Sequence, residues 1–233
     1  MRNRSSDFPD RDTMFETEQQ VVPALFFSRH CRSSFRLSCK RVIDFGASLY
    51  LLVLLSPLFL ALALLVKFTS AGPILYRWRV VGKGGHPFVS YKFRTMVANA
   101  DELKAKLEAQ NEMQGPVFKL THDPRITSVG RWMRRYSLDE LPQLYSVFKG
   151  DMSLVGPRPP LVTEYSRFSE YQKQKLAVKP GITCLWQVNG RNQVKDFDEW
   201  VRLDLEYIQN WSLMLDFKIL LRTVQEVFRG SGK

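Results

Sequence analysis

The longest apolar run in this chain extends from Phe45 to Val66, 22 consecutive residues without a charged side chain. At ~1.5 Å rise per residue, a continuous helix of this length measures about 33 Å, compared with ~30 Å for the hydrocarbon core of a bilayer. A helix buried inside a small soluble domain usually keeps a polar face, which this run lacks. The run therefore predicts a membrane segment.

Ser56 and Pro57 interrupt this run near its middle. Pro57 has no N–H to donate to the carbonyl of Val53, so we expect a kink, and the halves Phe45–Leu55 and Pro57–Val66 are each about half a bilayer long. The residues alone leave two topologies open, a Pro-kinked spanning helix and a re-entrant hairpin with both flanks in the cytoplasm. Equal numbers of basic residues flank the run and give no orientation bias: Arg29, Arg32, Arg36, Lys40 and Arg41 before it, and Lys67, Arg77, Arg79, Lys83 and Lys92 after it.

The remaining chain divides around this segment. Residues 1–28 are predicted to form a mobile tail, residues 29–67 a basic segment with the membrane helix, and residues 68–233 a cytoplasmic domain. The predicted fold class is α+β, mainly helical, with a β-hairpin formed by Ile74–Val81 and Pro87–Met96. Helices are expected at Ala98–Glu112, Arg131–Tyr136, Leu141–Phe148, Val162–Ala177, Phe197–Asn210 and Leu215–Arg229.

The net charge of +11 indicates an anionic partner, such as nucleic acid, lipid or a phosphorylated substrate. Residues 67–150 carry most of it, with 14 basic and 7 acidic side chains. Three cysteines and three histidines are too few and too scattered for a disulfide scaffold or a transition-metal centre. Walker A, G-x-G-x-x-G, H-E-x-x-H and G-x-S-x-G motifs are also missing from the sequence.

The densest polar cluster surrounds two adjacent acids, Asp139 and Glu140. Ser137 and Glu140 have the spacing of a capping box, whereas Pro142 fits a helix better if Asp139 is its N-cap. Both alternatives place Asp139 at a helix N-terminus, where an attached phosphoryl group faces free N–H groups. A diphosphate could be neutralised by a divalent ion on Glu140 and by Arg131, Arg134, Arg135 and Arg158. The alternative is an ordinary first helical turn beside a solvated or lipid-facing basic surface.

Six motifs occur in order between about Ser38 and Phe228. They are Lys92-Phe-Arg-Thr-Met96, Ser137-Leu-Asp-Glu-Leu-Pro-Gln143, Gly156-Pro-Arg-Pro159, Lys179-Pro-Gly-Ile-Thr183, Trp186-Gln-Val-Asn-Gly-Arg191 and Trp211-Ser-x-x-x-Asp216. Together they resemble the bacterial sugar transferases, which are monotopic polyprenyl-phosphate phosphoglycosyl transferases. The Ser56-Pro57 break also matches the break in the re-entrant membrane helix of that family, which favours the hairpin topology.

The resemblance implies a specific reaction. Such enzymes transfer a sugar 1-phosphate from a nucleotide diphosphosugar, usually a UDP-sugar, to undecaprenyl phosphate, and thereby initiate exopolysaccharide, O-antigen or glycoconjugate assembly. It implies that Asp139 is the nucleophile, that Glu140 is its partner, and that both hold Mg²⁺. Basic residues at motif positions are implied to contact phosphates or the nucleotide: Lys92, Arg94, Arg134, Arg158 and Arg191. The implied location is the cytoplasmic face of the bacterial inner membrane.

Some features fit this resemblance less directly. Cys184 replaces a glycine that is usual in the family, and larger members carry additional spans and a domain, so we expect a catalytic core with a short tail. A stripe formed by Tyr165, Phe168, Tyr171, Lys173 and Lys175 would lie either at the membrane interface or in the core.

The main alternative is a membrane-tethered nucleic-acid-binding module that uses the basic segment 67–150. It leaves the acidic pair and the motif Trp186–Arg191 without a role, so we expect no nucleic-acid partner. The sequence identifies neither the sugar nor the oligomeric state, and a homo-oligomer stays possible.

Overall fold

The computed structural model describes residues 34–189, 194 and 196–232. Its strands are β1 (Leu75–Val81), β2 (Pro87–Phe93), β3 (Ser153–Val155) and β4 (Gly181–Thr183). Its α-helices are α1 (Ser34–Leu54), α2 (Ser56–Thr69), α3 (Ala100–Leu107), α4 (Ser128–Arg135), α5 (Leu144–Lys149), α6 (Val162–Tyr165), α7 (Glu170–Lys173), α8 (Leu185–Val188), α9 (Phe197–Gln209) and α10 (Leu213–Arg229). The predicted α+β, mainly helical class is confirmed, while the predicted tail 1–28 lies outside the described residues.

Helices α1 and α2 form a bent pair whose axes differ by 62°. Pro57 lies in the first turn of α2, where no N–H is needed, and the hydroxyl of Ser56 donates to the carbonyl of Val53 at 2.8 Å. The predicted break is therefore confirmed. Among the described residues, no single helix is long and apolar enough to cross a membrane, but this pair meets both criteria together. Insertion into a bilayer stays a prediction.

Polar side chains on α1 attach this pair to the rest of the molecule. Arg41 donates from its two terminal nitrogens to the carbonyls of Val147 and Phe148, at 2.6 and 2.7 Å, and so satisfies acceptors at the end of α5. The amide of Leu154, in β3, donates to Asp44 at 3.0 Å. These bonds fix α1 against the domain that follows.

The β-hairpin is the predicted one, with β1 and β2 antiparallel and Leu75 opposite Phe93. Gly84 and Gly85 adopt φ of +70° and +85° in its turn, a region that suits glycine. Strands β3 and β4 form a second, parallel pair that was not predicted. Three-residue strands are too short to show a hydrophobic alternation in the sequence.

The predicted helix Val162–Ala177 is wrong, because the chain breaks it into α6, α7 and a 3₁₀ turn, Gln174–Ala177. Ser169 is the N-cap of α7 and accepts from the amide of Gln172 in a capping box. Because an N-cap residue is not helical, α6 cannot continue into α7. The break also divides the predicted stripe between Tyr165 and Lys175. Phe168 and Lys175 are buried in the domain, whereas Tyr171 is exposed.

Helix α10 presents an apolar face to solvent. Its buried side is represented by Ile219, which belongs to the main hydrophobic core with residues of α5, β3 and α9. The exposed side has large apolar residues at helical spacing of three and four: Met214, Phe217, Leu221, Val224 and Phe228. The outer surface of the α1–α2 pair is similarly apolar, so both elements leave hydrophobic surface uncovered.

Candidate active site

Asp139 and Glu140 lie in a six-residue 3₁₀ helix, Leu138–Gln143, between α4 and α5. Neither capping arrangement suggested by the sequence is present, since no side chain caps this helix and Ser137 adopts a left-handed φ of 54°. Both acids are buried, with 7% and 6% of their surfaces exposed. A helix this short has a small dipole, so neighbouring basic side chains must supply the positive field.

Two of these basic side chains contact the same carboxylate oxygen. The ammonium of Lys92, on β2, lies 2.7 Å from Oε1 of Glu140, and a terminal nitrogen of Arg158 lies 3.2 Å from it. Burial lowers the pKa of Lys92 to about 8, although the charge of Glu140 acts in the opposite direction. Burial is the largest single influence on the pKa of Arg158 and favours a lower value, but Glu140, Cys184 and Glu164 together outweigh it and the net shift is upward.

Trp78 lies beneath both cations and was missed by the sequence analysis. The Lys92 nitrogen is 3.8 Å from the centre of a Trp78 ring, and the Arg158 guanidinium carbon is 5.4 Å from one. Such cation–π contacts hold the charges in place without neutralising them. The alternation of β1, which places Trp78 on the same face as buried Val80, is the signal that could have identified it.

Arg134, on α4, is the third basic residue near the acids. Its Nε donates to the hydroxyl of Thr95 at 2.9 Å, and burial lowers its pKa while the charge of Asp139 opposes that change. This placement depends on Gly130, where an added Cβ would lie 2.1 Å from the Thr95 carbonyl oxygen. Helix α4 can therefore approach the chain after β2 only with glycine at this position.

Two other predicted phosphate-binding residues are not brought into this group by the structure. Arg94 is buried and donates to the carbonyl and hydroxyl of Ser70, at 2.6 and 2.8 Å, so it satisfies the end of α2. Arg191 lies outside the described residues. Lys92, Arg134 and Arg158 are thus the predicted cations that the structure gathers around Asp139 and Glu140.

Cys184 is a buried core residue. Burial raises the pKa of its thiol to about 12, so it holds its proton at neutral pH and has no nucleophilic character. Its sulfur donates to the side chain of Gln187 at 3.3 Å. The backbone of Cys184 is extended, which explains why a side chain is accepted where glycine is usual.

Asp139 and Glu140 also suit a magnesium ion. Mg²⁺ is commonly bound by one or two carboxylates together with phosphate oxygens of a substrate and water. Among the residues that the structure describes, no group of three or more acidic, histidine or cysteine side chains is placed to hold a metal alone. The acidic pair therefore fits an ion that arrives with a phosphorylated substrate.

Comparisons with known proteins identify several relatives of this chain. The chain is 50% identical over 163 residues to the galactosyl transferase CpsE of Streptococcus agalactiae, covering 70% of this chain and 36% of the relative. It is 45% identical over 197 residues to the undecaprenyl-phosphate galactose phosphotransferase of Salmonella typhimurium, covering 83% and 41%. It is 41% identical over 197 residues to the exopolysaccharide production protein ExoY of Sinorhizobium fredii, covering 83% and 87%. The chain thus spans less than half of the length of the first two relatives.

The family comparison covers nearly the whole described region. The model of the bacterial sugar transferase family matches residues 35–230, from the first turn of α1 to the end of α10. The acidic pair, its three cations and the bent helices all lie within this match. The chain therefore belongs to the bacterial sugar transferase family.

Proposed function

We propose that this protein transfers a sugar 1-phosphate from a UDP-sugar to undecaprenyl phosphate, through a covalent intermediate on Asp139. The observation that carries the proposal is a buried pair of carboxylates under the influence of Lys92, Arg134 and Arg158. A site of this kind can bind a diphosphate and still present an anionic nucleophile to it. The Salmonella relative, whose name includes the same acceptor and a sugar phosphotransfer, supports this choice.

The first chemical step forms the intermediate. A carboxylate oxygen of Asp139 attacks the phosphorus that bears the sugar, and the bond from that phosphorus to the bridging oxygen breaks. Uridine monophosphate leaves with the bonding electrons, and Asp139 holds the sugar phosphate as a mixed anhydride. Arg158 and Lys92 bind the non-bridging oxygens as negative charge develops on the leaving phosphate.

The second step uses the lipid. A phosphate oxygen of undecaprenyl phosphate attacks the same phosphorus, the bond to Asp139 breaks, and undecaprenyl diphosphate sugar is released with the carboxylate regenerated. Asp139 and Glu140 would hold Mg²⁺, which supplies charge neutralisation for the phosphates when it is bound. Chelation of divalent cations should therefore stop turnover, and added Mg²⁺ should restore it.

The apolar surfaces support a location of this chemistry at a lipid interface. The α1–α2 pair would enter the bilayer from the cytoplasmic side of the inner membrane, and the exposed face of α10 would rest on the lipid surface. Lys40, Arg41 and Asp44 fix α1 to the domain, so the depth of the helices also sets the height of the active site. A lipid-borne phosphate and a soluble nucleotide can then reach the same carboxylate.

The decisive experiment uses Asp139→Asn, because the amide is nearly isosteric but cannot act as the anionic nucleophile. With UDP-sugar alone, mass spectrometry should find a sugar-phosphate adduct on the Asp139 peptide of the wild type and none in the variant. Turnover of the variant, measured as uridine monophosphate release, should fall by roughly 10³-fold or more. Asp198→Asn, an exposed change at the start of α9, is the control and should keep full activity.

Two results would contradict the proposal. Substantial turnover by Asp139→Asn would remove Asp139 from the mechanism. Failure of the wild type to release uridine monophosphate from any UDP-sugar, combined with salt-sensitive binding to DNA or RNA, would instead favour the nucleic-acid-binding alternative.

A further inference from the structure

A cavity of about 180 Å³ has Arg158 in its wall. Five of the twelve residues that line it are aromatic, among them Trp78, Phe118 and Trp200. Arg158 lines the cavity and also contacts Glu140 at 3.2 Å, so the cavity and the acids share this side chain.

Burial is energetically unfavourable for two polar groups in the cavity wall, the carboxyl of Glu164 and the indole N–H of Trp200. Glu164 is held in place by the amide of Leu161, which donates to its Oε2 at 2.9 Å, and burial raises its pKa. The indole N–H of Trp200 is buried and has no hydrogen-bond partner within the part of the chain that the structure describes. A buried donor without a partner is unfavourable, and a ligand oxygen would satisfy it.

A buried ion pair extends the polar side of the same wall. Lys175 lies 2.6 Å from Asp204, and each side chain is only 1% exposed. The Lys175 ammonium is also 4.9 Å from the centre of a Trp200 ring. The buried ion pair therefore lies against the ring of Trp200, and Lys175 contributes to the cavity wall.

The reaction geometry indicates which part of the donor would occupy this space. The nucleotide departs on the side of the phosphorus opposite Asp139, whereas the sugar stays attached to the phosphorus under attack. The cavity shares Arg158 with the acidic pair, so it lies within reach of the sugar that stays on this phosphorus. Its volume suits one ring rather than a complete nucleoside, and aromatic walls with a few fixed polar groups are typical of ligand pockets.

We propose that this cavity binds the hexopyranose ring of the sugar donor and selects among sugars. Glu164 accepts from one ring hydroxyl, the Trp200 N–H donates to another oxygen, and the aromatic walls cover the ring. This inference rests on the proposed function and adds a specificity site to it. A polar site built to pair with a hydroxyl discriminates against sugars that present that hydroxyl differently.

The test measures kcat/KM for UDP-galactose, UDP-glucose and their N-acetylated counterparts. Glu164→Gln keeps an oxygen that can accept from Leu161, and Trp200→Phe keeps an aromatic ring without the N–H. Each variant should change the ratio between the best and second-best sugars by about 10-fold or more, whereas inhibition by uridine monophosphate should change less than about twofold. Glu170→Gln, an exposed acid in the neighbouring helix α7, should alter neither quantity.

Phe118→Leu provides a second route if the buried variants unfold, since Phe118 is only partly buried and the substitution keeps an apolar wall. Unchanged sugar ratios in folded variants would overturn the inference while leaving the transfer reaction intact. Weaker inhibition by uridine monophosphate would also overturn it, because the cavity would then hold the nucleotide. Release of uridine monophosphate by the wild type tests the proposed function separately.

Discussion

The ammonium of Lys40, on α1, lies 2.6 Å from the carboxylate of Asp216, on α10, although 176 residues separate them in the chain. Asp216 also accepts from the hydroxyl of Tyr207 at 2.7 Å and from the indole N–H of Trp211 at 3.1 Å. Lys40 additionally donates to the carbonyl of Val155 at 3.1 Å. The motif that begins at Trp211 therefore connects the bent helices to the domain.

Lys40→Met should destabilise the protein by about 1–3 kcal/mol, because Asp216 loses its charged partner and Val155 loses a donor. The free energy of unfolding, measured in detergent or nanodiscs, checks this. Lys218→Met replaces an exposed lysine nearby on α10 and should change stability by less than about 0.5 kcal/mol. Equal effects of the two substitutions would show that the Lys40–Asp216 contact contributes nothing.

Arg158→Lys should lower kcat/KM by about 10- to 100-fold although the charge is retained. The guanidinium reaches Glu140 and can bind a phosphate with its second nitrogen, whereas an ammonium on a shorter side chain acts as a single point charge. Steady-state kinetics with the UDP-sugar as the varied substrate measures the loss. Arg202→Lys, at an exposed salt bridge on α9, is the matched control. Near-wild-type kinetics for Arg158→Lys would mean that its guanidinium does not bind phosphate.

Activity should decline on the alkaline side with an apparent pKa of about 8, which is the pKa of Lys92 in the folded protein. Above that pH Lys92 loses its proton, and with it the charge that attracts phosphate and pairs with Glu140. A pH profile of kcat/KM reports this group in the free enzyme. Lys92→Arg should shift the alkaline decline upward, because arginine stays protonated. An unchanged profile in this variant would assign the decline to another group.

This alkaline decline should not reflect unfolding. Because burial lowers the pKa of Lys92, the unfolded chain binds more protons at this position than the folded chain above pH 8. Deprotonation of Lys92 therefore makes stability rise, not fall, between its folded pKa and its unfolded pKa of ~10.4. Thermal unfolding measured across the same pH range separates the two effects.

The segment Phe45–Val66 should enter and leave the bilayer on the cytoplasmic side. Single cysteines placed near Arg36 and near Ser70, in a background without native cysteines, should both resist an impermeant thiol reagent in intact cells and react after permeabilisation. Labelling near Arg36 from outside would show that the helix spans the membrane. Replacing Ser56-Pro57 with Ala-Leu should restore a continuous apolar helix of about 33 Å, so part of the population should span and activity should fall accordingly.

The sequence was sufficient to predict the elements that depend only on neighbouring residues. Pro57 cannot donate within a helix, and the break between α1 and α2 lies where that rule puts it. Glycines at 84 and 85 supply the turn between β1 and β2, and the apolar periodicity identified α9 and α10 within two residues at their ends. The polar cluster in the sequence indicated Asp139, Glu140, Arg134 and Arg158, and the motifs added Lys92 and identified the family.

Only the tertiary structure decided which charges are paired and which apolar faces are covered. Lys92 lies 48 residues before Glu140, and Lys175 pairs with Asp204, but no feature of the sequence indicates either pairing. Arg94 binds the end of α2 and not the acidic pair, because the unsatisfied carbonyls of that helix lie within its reach. Helix periodicity shows that apolar residues of α10 share a face, but the packing of Ile219 on the opposite side left that face exposed. Such outcomes depend on contacts between distant segments, which no local pattern of residues specifies.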